Sequence, residues 1–245
     1  MKKLLDRIFI DGLGGMAQGL FATLIIGTII QQIGLFMGGG TGDLIYELGK
    51  IAAGLTGAGI GVGVARKLEA GHLVIVSAAV VGMIGAFAGK ILSGQVLVDG
   101  NLVLAGPGEP LGAFAAAYLA IEIGILISGK TKLDIILTPL VCIGTGSAVG
   151  LFVGPPISEF MLWLGSLINW GTEQQPFLMG IVVSVLMGMI LTLPISSAAL
   201  GVILNLSGLA AGAATIGCCC NMIGFAVASW RENKFSGFLA QGIGT

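Results

Sequence analysis

Charge is what this sequence has least of. Asp, Glu, Lys and Arg make up 9% of its 245 residues, against roughly 25% in soluble globular chains. Between Glu173 and Arg231 there is no charged residue at all, which leaves 57 consecutive uncharged positions, 174–230. One membrane-crossing helix needs about 20 apolar residues, so a soluble globular domain is excluded. Histidine is equally scarce: His72 is the only one, and no Ser-His-Asp set or His/Cys metal spacing can be assembled. There are four cysteines, Cys142 and the adjacent trio Cys218, Cys219 and Cys220. Neighbours on a helix point about 100° apart, so the trio cannot converge on one metal, and the four read as small apolar packing residues without a disulfide framework. No P-loop and no nucleic-acid motif is present. Neither a metal, a cofactor nor a nucleic-acid partner is expected, and catalysis by this chain alone has no support.

What is abundant is apolar and small. Hydrophobic residues make up 56% of the chain and there are 43 glycines, with a mean hydropathy of +1.04. This composition predicts an all-α polytopic membrane protein embedded in a lipid bilayer. Apolar stretches fall at 13–36, 51–64, 73–89, 111–128, 135–153, 157–170, 177–193 and most of 199–229. They predict about eight crossings together with re-entrant or broken helices. The stretch 157–170, short and introduced by Pro155 and Pro156, reads as re-entrant. The start, MKKLLDRIFIDG, is a basic amphipathic segment at the membrane surface. Nine of the eleven Lys and Arg residues fall at the start and in 65–72, 129–134 and 230–234. Lys and Arg mark cytoplasmic connections, so both ends are expected in the cytoplasm. The whole of 1–245 reads as one transmembrane domain. A weak echo between GMAQGLFATLIIGT at 15–28 and GFLAQGIGT at 237–245 suggests a shortened form of a longer protein.

The longest apolar run is interrupted at LTLPISSAALGVILNLSG, 191–208. Pro194 cannot donate a backbone hydrogen bond, and lipid supplies no substitute. The residues predict a helix break near the inner side of the membrane, where Thr192, Ser196, Ser197 and Asn205 either satisfy freed backbone groups or face a polar solute. Transporters build binding sites from such breaks; an ordinary proline-kinked helix is the competing reading. The glycines cluster in GLTGAGIGVGVA (54–65), GTGSAVG (144–150) and GLAAGAATIG (208–217), where small residues three or four apart allow close helix approach.

Four further residues carry candidate chemistry. Glu122 lies inside a predicted helix, and an ionisable residue at membrane depth costs about 2.5–3.5 kcal/mol on insertion scales; it reads as a group handling substrate or protons, or as a helix-to-helix hydrogen bond. Glu109, between Pro107 and Pro110 in LAGPGEPLGAF, is either a carboxylate held for hydroxyl groups of a sugar-like solute or an exposed loop acid. Glu159, just after Gly154-Pro155-Pro156, poses the same choice. His72 sits at the inner boundary near Arg66 and Lys67, where it either contacts substrate or phosphate or is simply solvated.

The segments LTPLVCIGTGSAVGLFVGPPISEF (137–160) and TLPISSAALGVILNLSGLAAGAATIG (192–217), followed by GFAVASWRENKFSGFLAQGIGT, resemble the IIC-type membrane proteins of the bacterial sugar phosphotransferase system, in particular stand-alone IIC-like members. The resemblance implies a multi-pass, homodimeric protein of the bacterial cytoplasmic membrane with re-entrant hairpins around a sugar site. It also implies separate IIA and IIB phosphocarrier partners, so that any phosphotransferase activity would be joint. Gly106-Pro107-Gly108-Glu109-Pro110 is similar, as G-x-x-E-P, to the sugar-contacting G-I-T-E-P motif of glucose-type relatives, but it comes early in this chain where the family motif comes late. Two alternatives stay open beside a phosphotransferase permease: a proton- or sodium-coupled secondary transporter, and a non-transporting membrane sensor.

Overall fold

Glycine and proline set the borders at which the apolar stretches fold into helices. The computed structural model describes residues 6–98, 100–192, 201 and 204–242. Its helices are α1 (Arg7–Met37), α2 (Gly39–Gly54), α3 (Thr56–Lys67), α4 (His72–Ala86), α5 (Ala88–Leu92), α6 (Pro110–Ile127), α7 (Asp134–Gln174), α8 (Pro176–Ile190), α9 (Gly208–Ala228) and α10 (Trp230–Gly242). Between α5 and α6 a small hairpin pairs β1 (Leu97–Val98) with β2 (Asn101–Leu102) antiparallel. The protein is thus an all-α polytopic membrane protein. Among the described residues, α1, α6, the Asp134–Ile157 part of α7 and α9 are each long and apolar enough to cross a membrane, and α2 and α3 pass the same test only when taken together as one bent pair. Helices α4 and α8 are apolar but shorter, at 15 residues each. The stretch 157–170 has no turn before it: Pro139, Pro155 and Pro156 all lie inside α7, which continues to Gln174.

Two compact units emerge, Met1–Phe160 and Met161–Thr245. In the first, the glycine run 54–65 explains the packing. Gly57 and Gly61 are four residues apart and share one face of α3; Gly59 and Gly63 share another, about 200° round. The first pair meets α4, where Gly57 lies against the Gly82 carbonyl and Gly61 against that of Ala78; the second pair meets α1 at Gly19 and Gly15. Two interleaved small-residue motifs therefore place α3 between α1 and α4. The same device continues outward: Gly85 of α4 lies against the Gly112 carbonyl of α6, and Gly146 of α7 against Val81 and Ala120.

Helix α2 has no counterpart among the apolar stretches read from the sequence, because TGDLIYELGK (41–50) is too polar to register. It forms because Gly38 and Gly39, at φ of 62° and 65°, turn the chain back. Gly42 and Gly49 then let α2 lie directly on Gly34 and Gly27 of α1. It bends by 50° into α3 at Leu55. The buried Thr56 hydroxyl donates to the Ala53 carbonyl at 2.6 Å there, so the polar side chain is satisfied at the bend.

In the second unit α8 returns along the last turns of α7, where Met179 lies against Gly171. Helices α8 and α9 pack through Gly188, Gly217 and Ser184, with Val183, Met187 and Ala214 as their buried cluster. Cys218 Sγ donates to the Met187 carbonyl at 3.8 Å, and Thr192 lies with Asn221. Each α8 residue thus meets the α9 residue about 31 positions later, which only parallel axes produce. It follows that the end of α8 and the start of α9 lie at opposite ends of the pair, about 20 Å apart at about 1.5 Å per residue.

Candidate functional site

The parallel pair decides what the interruption at 191–208 can be. Pro194, Ser196 and Ser197 lie outside the described residues. Thr192 and Asn205 do not lie together at one break, as the sequence alone suggests: Thr192 stands at the far end of α8 and Asn205 at the entrance to α9.

At the Thr192 end the second unit has two adjoining cavities of about 230 and 630 Å³, sharing Thr192, Asn221 and Phe225. Their sizes are of the order of small-molecule sites. The polar groups that reach them are Thr192, Ser184, Asn221 and Gln241, set among Leu191, Met189, Met222 and Phe225. No described lining residue is charged. Each polar group has a local anchor or a helix to fix it. The Thr192 hydroxyl donates to the Met189 carbonyl at 2.6 Å, leaving its oxygen as an acceptor. Asn221 projects from α9 one turn after Gly217, whose missing Cβ lets α8 approach.

Gln241 arrives from α10. Lys234, at φ 52°, breaks that helix internally. The residues after the kink turn back on α9: Trp230 meets Phe238 edge-on at 5.8 Å, and Gly242 rests near Ala226 and Ile223. Gln241 Oε1 accepts from Ser229 Oγ at 3.1 Å, which ties the two helices at the cavity. The sequence alone does not single out Asn221, Gln241 or Ser184 as site residues. An asparagine in an otherwise apolar helix was the available signal for the first, and the A-Q-G echo at 240–242 pointed to the second without giving it a role.

The acids lie elsewhere. Glu122 is bonded to Arg7: Nε donates to Oε1 at 2.6 Å and Nη2 to Oε2 at 3.3 Å, with the side chains 39% and 30% exposed. It sits five residues from the end of α6, about 8 Å from the helix terminus. Its charge is met by a guanidinium 115 residues away in sequence. The hydroxyl of Tyr118 is buried beside the pair.

Glu109 occupies the N-cap of α6. Gly106 and Gly108, at φ of 85° and 71°, shape the loop before it. A side chain at Gly108 would strike Ala86, and the Glu109 N–H donates to the Ala86 carbonyl at 2.7 Å, so the loop seals the end of α4. Glu109 Oε1 is buried without a partner. Burial pushes this carboxyl above the ordinary carboxylate range, opposed by the backbone N–H of Leu111. Glu159 is exposed on α7, and His72 is exposed in the first turn of α4.

At the entrance to α9 the backbone is irregular. Asn205 has φ 49°, Ser207 is extended at φ −138° and ψ 167°, and Gly208 has φ 51°. Such backbone at membrane depth needs protein partners. Asn169 of α7 supplies them: its Nδ2 donates to the Asn205 carbonyl at 2.9 Å, and its Oδ1 accepts from the Ser207 N–H at 3.1 Å. One turn earlier, Gly165 has no Cβ to block the Leu204 carbonyl, which lies directly on it. Asn205 therefore takes part through its backbone.

A multi-pass helical protein with glycine-set packing and an uncharged polar cavity at the end of a short helix has the build of a membrane carrier for a small solute. The family comparison agrees in kind. A family model described as "Phosphotransferase system, EIIC" matches residues 10–245, and the chain belongs to that family. It is a membrane-embedded sugar permease component of the phosphotransferase system. Neither a curated protein nor a solved structure matches the chain.

Proposed function

We propose that this chain is the permease of a phosphoenolpyruvate-dependent sugar phosphotransferase system, and that it binds an uncharged sugar in the cavity at the Thr192 end of α8. It sits in the bacterial cytoplasmic membrane with the N-terminus inside, works as a homodimer, and presents its sugar to separate IIA and IIB phosphocarriers. The observation that carries this reading is the lining: within a family of sugar carriers, the hydroxyl of Thr192 and the amides of Asn221 and Gln241 stand beside Phe225, with no charge among the described lining residues. Amides and hydroxyls match the donor and acceptor pattern of sugar hydroxyls, and an aromatic ring offers an apolar face for the C–H side of a sugar ring. A site without charge discriminates against sugar acids and amino sugars, whose charge would be desolvated without a partner.

The test is equilibrium binding of a panel of neutral and charged sugars to the purified chain in lipid nanodiscs, with Asn221→Ala alongside. Loss of one to two sugar hydrogen bonds costs about 1–2 kcal/mol, a fall in affinity of about five- to thirtyfold. Binding of a neutral sugar that Asn221→Ala leaves untouched would remove the cavity from consideration. Uptake into vesicles that requires phosphoenolpyruvate and the phosphocarriers supports the coupling; uptake driven by an ion gradient alone would replace it with secondary transport.

A further inference from the structure

We infer that Asn169 is a positioning residue for this cavity, acting through α9 without touching the solute; the inference rests on the cavity reading above. The argument starts from the backbone. A helix entered through Asn205 at positive φ, an extended Ser207 and Gly208 at positive φ has carbonyl and N–H groups that no regular ladder can pair. In the second unit these are the Asn205 carbonyl and the Ser207 N–H, and the Asn169 carboxamide meets both, donor to acceptor and acceptor to donor. Only a side chain carrying both groups on one short arm can do this from a single helix position. Gly165, one turn away on the same face, lets the Leu204 carbonyl sit against the α7 backbone. A glycine and an amide four residues apart thus form a seat for residues 204–207.

The seat matters because α9 is one uninterrupted helix of 21 residues from Gly208 to Ala228. Its far part carries Cys220, Asn221 and Phe225 into the cavity. A rigid rod held at one end has its rotation and axial position set there, so fixing residues 205–207 fixes which side chains the far end presents. Asn169 lies about 20 Å from the cavity by the same axial count, beyond reach of any solute there.

The test uses the full chain with Cys142, Cys218 and Cys219 replaced by alanine, so that Cys220 is the one thiol. Its rate of alkylation by a soluble maleimide is measured on the monodisperse fraction in nanodiscs. Asn169→Ala, which removes both bonds, is expected to change that rate by about tenfold. Asn169→Asp, which keeps the acceptor for Ser207 and loses the donor, is expected to fall between. The Asp variant also serves if the Ala variant does not fold. A residue that only stabilised the fold would lower the yield of the folded fraction and leave its Cys220 rate at the parent value; that result overturns the inference. Sugar binding by the same variants separates the two readings. Asn169→Ala should weaken every bound sugar by one common factor, whereas Asn221→Ala should reorder them. A reordering by Asn169→Ala would mean contact with solute and would also overturn it. An altered Cys220 rate with no sugar bound by any variant, parent included, would uphold the positioning role and refute the cavity as a sugar site.

Discussion

Replacing Gly15 and Gly144 by alanine should move stability in opposite directions, although both lie in apolar helices. A Cβ at Gly15 would stand 2.6 Å from the Gly63 carbonyl oxygen and 2.7 Å from the Val64 Cα, where ordinary contact begins at 3.4 Å. Both obstacles are backbone, so no rotamer change relieves them, and α1 must move about 0.8 Å away from α3. A gap of that size forfeits about a quarter to a half of each contact's dispersion energy along the seam, and overpacking of this type costs about 1–3 kcal/mol. The gain in helix propensity, about 1 kcal/mol at most, leaves a net loss of up to about 2 kcal/mol. At Gly144 an added Cβ meets nothing within 4 Å, so only the propensity gain of about 0.5–1 kcal/mol remains. The assay is reversible unfolding in mixed micelles with increasing denaturing detergent, scored on the folded fraction. Gly15→Ala should unfold earlier than the parent and Gly144→Ala later. Equal shifts, or a stable Gly15→Ala chain, would refute the claim that glycine contacts set the α1–α3 distance.

Substitutions at the two buried or paired acids of the first unit give further outcomes. The Glu109 carboxyl is held above its ordinary range by burial, so the folded state keeps its proton longer than the unfolded one. Stability on this account is greatest below the unfolded value and falls as pH rises through the higher folded one. Glu109→Gln should therefore match the parent near pH 4 and be the more stable near pH 7, as thermal melts at the two pH values would read; a difference confined to low pH would contradict this. At the other acid, a double-mutant cycle of Arg7→Ala and Glu122→Gln should give a coupling of about 1 kcal/mol, since the pair is partly exposed. Glu122→Gln should leave sugar binding at its parent value, and a loss of uptake in an ion gradient would instead mark Glu122 as a coupling group.

The long apolar runs carried the membrane class because composition alone fixes it, and the glycine clusters carried the packing because a spacing of four is a local property of one helix. Helix α2 escaped because its evidence is relational: Gly42 and Gly49 mean little until Gly34 and Gly27 face them. Glu122 stands out in the sequence as an expensive charge, but Arg7 reads there as one of the cytoplasmic basic residues, and nothing local joins residues 115 apart. Thr192 and Asn205 group together in the sequence because they are close in it, and the parallel run of α8 and α9 separates them. Asn169 leaves a trace in the sequence, an amide four residues after a glycine in the apolar stretch 157–170, the pattern by which polar side chains join membrane helices.

The bond between Arg7 and Glu122 also has a place in time. The arginine is made 115 residues before its partner, and at about 5–20 residues per second of synthesis it waits about 6–23 s for the glutamate to appear. For the later part of that interval α1, Arg7–Met37, has its full apolar length while the partner of its terminal cation has yet to be made. Glutamate 122 arrives with α6, after α3 and α4 have been made, so the pair closes a bundle whose inner helices are already present. It acts as a latch on the α1–α6 part of the first unit, ahead of the α7 residues that complete that unit, and it cannot help to start it.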